Sequence, residues 1–141
     1  LADAQHGEQV GVAAIAVAAI QRAILGRDAP PVIRPSRITR DDVVAHFGPI
    51  LGEACWRELE QKHIDAARAE ALDARLARSW PALQAELLAA GAPPDRIRAI
   101  LASAGAPTTP ADLHYPDALF ATAVAHAHWI RDRFTFLDLQ E

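Results

Sequence analysis

From Val10 to Ile20 the chain carries no polar side chain. A helix over this run is apolar on every side, so the pattern predicts a central helix from Gly7 to Leu25, buried inside a bundle. Gly26 follows as a stop that tolerates positive φ. Gly7 and Gly11 each cost a helix about 1 kcal/mol relative to alanine, which predicts that another backbone or a ligand comes close to them. Pro30, Pro31 and Pro35 then make residues 27–37 an extended connection within the domain.

Thr39-Arg40-Asp41-Asp42 has the form of a capping sequence, with Thr39 as N-cap of a short helix that stops at Gly48. Pro49 opens the next. From Ile50 to Arg78 the positions Leu51, Cys55, Trp56, Leu59, Ile64, Ala67, Leu72 and Leu76 recur at helical spacing, which predicts an amphipathic helix broken once near His63, with Glu58 and Lys62 as an i,i+4 pair. Ser79 is expected to cap a helix ending at Gly91, and Pro93-Pro94-Asp95 to start one ending at Gly105. Thr109-Pro110 opens a further turn, and Tyr115-Pro116 leads into a last helix through Leu119, Phe120, Val124, Ala127 and Ile130. No stretch alternates with period two, so the expected fold is all-α: residues 1–141 as a single multi-helical bundle of about seven or eight helices around the central apolar one.

Half the residues are apolar and alanine is abundant, so the helices should approach closely. A formal charge of −4, spread without blocks of like sign, argues against nucleic acid or an anionic membrane as partner. The single cysteine, Cys55, lies in an apolar context and reads as a buried thiol; with no second cysteine, a reducing, cytoplasmic setting is expected. The uninterrupted apolar run is shorter than the roughly 20 residues that span a bilayer, and it has no basic leader, so no membrane is expected. The sequence contains no methionine and reaches its most apolar helix within ten residues, which reads as the back part of a longer protein.

Most of the six histidines offer no metal-ligand spacing. His126 and His128 are two apart and point to different faces; His46, His63 and His114 have no Cys, His or acid at a ligand interval. His6 stands apart. The N-terminus of the first helix disfavours an imidazolium and keeps the ring available to a metal, and Gly7 leaves room, but the chain supplies no partner ligands and the residues alone favour local capping or packing. Glu8 reads as a first-turn acid. Arg131-Asp132-Arg133 beside Trp129 and Phe134 reads as a fastening of the last helix by ion pairs and stacking.

His6-Gly7-Glu8-Gln9-Val10-Gly11-Val12 resembles the H-G-E-x-V-[AG]-[IVF] stretch of the dehydroquinate synthase-like and iron-containing alcohol dehydrogenase superfamily, which opens the helix carrying the last protein ligand of the catalytic metal. Gly105-Ala106-Pro107-Thr108-Thr109-Pro110, with Ile130-Arg131-Asp132-Arg133-Phe134-Thr135-Phe136-Leu137-Asp138-Leu139, is similar to the ending of the glycerol-1-phosphate dehydrogenases. The resemblance implies the C-terminal domain of the dehydroquinate synthase-like fold, in an enzyme that reduces dihydroxyacetone phosphate with NAD(P)H and a divalent zinc or nickel ion. It makes His6 a metal ligand. The other ligands, the nucleotide-binding domain that is this domain's partner, and all cofactor-binding residues would lie upstream; no catalytic residue falls in this chain.

The 141 residues alone are therefore expected to be inactive and to hold metal weakly or not at all. Apolar surface left around the first helix predicts a homodimer. Dehydroquinate synthase and glycerol dehydrogenase are rivals within the same fold. A free-standing helical interaction module is the rival from another class.

Overall fold

The computed structural model describes residues 5–139. Their regular structure is all helical, with no strand: six α-helices, α1 (His6–Leu25), α2 (Arg40–Phe47), α3 (Pro49–Leu59), α4 (Ala66–Ala90), α5 (Pro94–Ser103) and α6 (Asp117–His126), with four 3₁₀ turns. They pack as two compact units, residues 5–28 with 81–125 and residues 29–80 with 126–139.

In the first unit α1 buries Val12, Ile15 and Ala18 along one side, and Ile24 and Leu25 at its C-terminal end. The expectation of a helix buried all round is thus corrected. Val10 stays 52% exposed, because the described part of this unit offers α1 short neighbours, with α5 packed directly on it. At Gly11 a Cβ would come within 3.3 Å of the Leu101 side chain of α5, so a side chain and not the expected backbone or ligand comes close there, and at Gly7 nothing lies within 4 Å. With 20 residues, α1 is also long and apolar enough to cross a bilayer by length and composition alone, which the uninterrupted run had understated. Gly26 ends the helix at φ −83°, without the left-handed conformation expected of it. Gln84 closes this end, its side-chain N–H group donating to the carbonyls of Leu25 at 2.7 Å and Arg27 at 2.9 Å.

The second unit is built where the capping sequence predicted. The Thr39 hydroxyl accepts the Asp42 N–H at 3.3 Å, and the Asp42 carboxylate accepts the Thr39 N–H at 2.8 Å and its hydroxyl proton at 2.6 Å. These bonds satisfy N–H groups that the first turn of a helix leaves open. Gly48 turns the chain at φ 79°, a conformation glycine adopts without cost, and Pro49 starts α3. Val43, Cys55 and Leu59 form the core, with Ile38, Phe47, Trp56 and Trp129 against it. The extended segment before Thr39 is pinned by the Ile33 N–H on Asp73 at 3.0 Å, and by Ser36 and Ile64, which exchange two hydrogen bonds.

The hydrogen bonds from Thr39, its hydroxyl first, hold the Asp42 carboxyl below the usual carboxylate range. A depressed folded-state pKa means that the stabilisation is complete above the unfolded value, about 3.9, and is lost as pH falls through the lower folded value. Thermal melts of wild type and Asp42→Ala should therefore differ at neutral pH and converge toward about pH 2. A constant difference across that range would contradict the assignment.

Two helix ends differ from the sequence pattern. The helix begun after His63 does not stop at Ser79: α4 continues to Ala90 with Pro81 inside it. The Ser79 hydroxyl donates to the Arg75 carbonyl at 3.0 Å instead of capping a new helix. An interior proline costs a helix about 3 kcal/mol or more, and here burial of the neighbouring Trp80, 4% exposed, offsets it. The last helix ends early, α6 giving way to the 3₁₀ turn Ala127–Ile130.

Candidate functional site

His6 is the first residue of α1 and is exposed. The Glu8 carboxylate accepts the Gln5 N–H at 2.8 Å, so this acid is engaged in closing the helix end, as its first-turn position suggested. A Cβ added at Gly7 would meet nothing within 4 Å. The imidazole thus stands at an open helix end. Among the described residues no group of three or more His, Cys, Asp or Glu is placed to hold a metal ion. His6 fits a metal as a single donor of a shared set; the remaining ligands of such a set would have to come from outside these residues.

One turn further along α1, the Gln9 amide donates to the Tyr115 hydroxyl at 2.8 Å. This bond forms the polar end of a groove that Ala13, Leu113, Leu119, Phe120 and Ala123 line with apolar atoms. Among the described residues no charged side chain lines it.

In the second unit the fold assembles groups that spacing had left apart. His46, in the last turn of α2, stacks on His126 at the end of α6 with ring centroids 3.8 Å apart and planes at 17°. Trp129 meets both edge-on, at 5.6 Å from His46 and 4.5 Å from His126. Lost hydration where the His46 ring packs, and then the neighbouring His126, push the His46 imidazole below its usual value. His128, two residues on, lines a separate recess with Lys62, Asp138, His63 and Arg34, so the two histidines do part as their spacing implied. His63 ends the 3₁₀ turn Glu60–Lys62 and sets its ring edge-on to Trp56 at 5.0 Å. His114 takes a left-handed conformation, φ 58°, to end another such turn.

The sequence pattern pairs Lys62 with Glu58; the structure gives it another partner. Its ammonium donates to Asp138 Oδ1 at 2.5 Å, to the His128 carbonyl at 2.7 Å and to the Arg133 carbonyl at 3.3 Å. The Arg133 guanidinium lies 3.8 Å from the adjacent Asp132, largely in water, while the buried ion pair that fastens this segment is made by Asp138. Cys55 is buried as expected, and burial pushes its thiol up. The chain matches no protein-family model, no curated protein and no solved structure.

Proposed function

We propose that this chain is the α-helical C-terminal part of an NAD(P)-dependent, metal-containing sn-glycerol-1-phosphate dehydrogenase of the cytoplasm. It would work with its own nucleotide-binding domain on dihydroxyacetone phosphate, a small phosphorylated substrate. The observation that carries the reading is the placement of the H-G-E motif: His6 lies exposed at the N-terminal end of α1, and Gly7 beside it leaves open space. An imidazole donates to a metal through the lone pair of a ring nitrogen. A bound zinc or nickel ion would polarise the ketone during hydride transfer from NAD(P)H. The chain's own part is to present His6 rigidly, which Glu8 supports by closing the first turn of α1.

Expression of the full reading frame and assay of NAD(P)H oxidation on dihydroxyacetone phosphate, with zinc or nickel supplied, tests this. His6→Ala should lower kcat/KM by more than about 100-fold, since even groups that only support a metal ligand can matter by that factor. A reading frame that starts at this domain, or one active on glycerol or on the dehydroquinate precursor instead, would overturn it.

A further inference from the structure

We propose that His46 and His126 form an acid-sensitive clasp between α2 and the 3₁₀ turn Ala127–Ile130, closed with at most one proton on the pair and opened by the second. The rings lie face to face at 3.8 Å, and Phe47 and Trp129 complete the cluster, Trp129 lying 6.4 Å from Phe47. A metal does not explain the arrangement. Imidazole lone pairs lie in the ring planes, and two nearly parallel planes cannot both aim donors at one ion about 2.0–2.1 Å from each nitrogen.

Protonation does explain a response. The first proton leaves an imidazolium stacked on a neutral ring, and at His46 it sits in the C-terminal turn of α2, where the helix dipole favours a cation. The second places two like charges at stacking distance, which couples the two titrations into steps belonging to the pair. Several charged groups on the elements around the pair make their contacts elsewhere. On α2, Asp42 caps Thr39, Arg40 pairs with Glu53 of α3, and Arg40 also lies 3.9 Å from the exposed Asp41. Also on α3, Cys55 is a buried neutral thiol. His128 of the 3₁₀ turn lines the Lys62 recess, and Asp138 pairs with Lys62. Opening separates Trp129 from both imidazoles, while Val43, Cys55 and Leu59 continue to hold α2 on α3.

The test is a pH titration of the 141-residue chain from about pH 8 to pH 4, following the ring C–H resonances of His46 and His126 and the emission of Trp129, identified with Trp129→Phe. Both rings should report both of two steps, and the Trp129 signal should follow the lower one. In His126→Gln, His46 should titrate in a single step and the emission change should vanish, as it should in His46→Gln. Single, independent steps in the wild type would overturn the clasp. So would an emission change that survives both substitutions. Because the wild-type curves decide the first point alone, a variant that fails to fold does not shelter the proposal.

Discussion

Gly52→Ala is expected to destabilise the second unit by about 3 kcal/mol, although alanine is the better helix former. Gly52 is buried on α3 where α2 crosses it. A Cβ there would stand 2.6 Å from the Val44 Cα, 3.0 Å from the Val43 carbonyl oxygen and 3.1 Å from the Val44 nitrogen. All three are backbone atoms, so no side chain can turn aside to make room. Either α2 moves away, uncovering Val43, or α3 loses its register on the core. Helix propensity returns only about 1 kcal/mol against overpacking that commonly costs 1–3 kcal/mol and more where backbone opposes it. Gly7→Ala is the control: with open space around it, it should gain up to about 1 kcal/mol. Chemical denaturation of the two variants decides, and a Gly52→Ala protein as stable as wild type would remove close backbone packing as the reason for this glycine.

That contrast bears on what a sequence can carry. Helix starts are local chemistry, and Thr39, Pro49 and Pro94 stand where their side chains or rings demand. Glycine marks helix ends at Gly48 and Gly105, where φ is positive, but Gly26 stops its helix without that conformation. Ser79 and Pro81 have the local signature of a boundary, and burial of Trp80 overrides it. Gly52 has no local signature at all, since its role exists only once Val44 lies across it. The same holds for His46 and His126, 80 positions apart and joined only by tertiary packing. At the proposed metal ligand the legible part is the motif itself: a histidine, a glycine and an acid at a helix start.

Lys62 is the clearest case, and its removal has the largest expected effect. Its side chain is 5% exposed and that of Asp138 9%, so both charges have left water and rely on each other and on the His128 and Arg133 carbonyls. Asp138 is also fixed from behind, its other oxygen accepting the Thr135 N–H at 2.7 Å and hydroxyl at 3.0 Å. Lys62→Met strands a buried carboxylate and two carbonyls without their donor. Breaking one side of a buried pair typically costs about 3–5 kcal/mol, a large part of the 5–15 kcal/mol that holds a domain folded. The segment from Arg131 to Leu139 should then detach first, since its Arg133 carbonyl and Asp138 converge on the same ammonium that holds the His128 carbonyl before it. Replacing both partners, Lys62→Met with Asp138→Leu, should recover most of the loss, because no charge is left unpaired, and the pairwise coupling in that cycle should exceed about 1 kcal/mol. Denaturant midpoints of the four proteins measure it. Additive losses, or a Lys62→Met protein within about 0.5 kcal/mol of wild type, would mean that the closing segment is held by its apolar side chains, Phe136, Leu137 and Leu139, and that the buried ion pair only accompanies them.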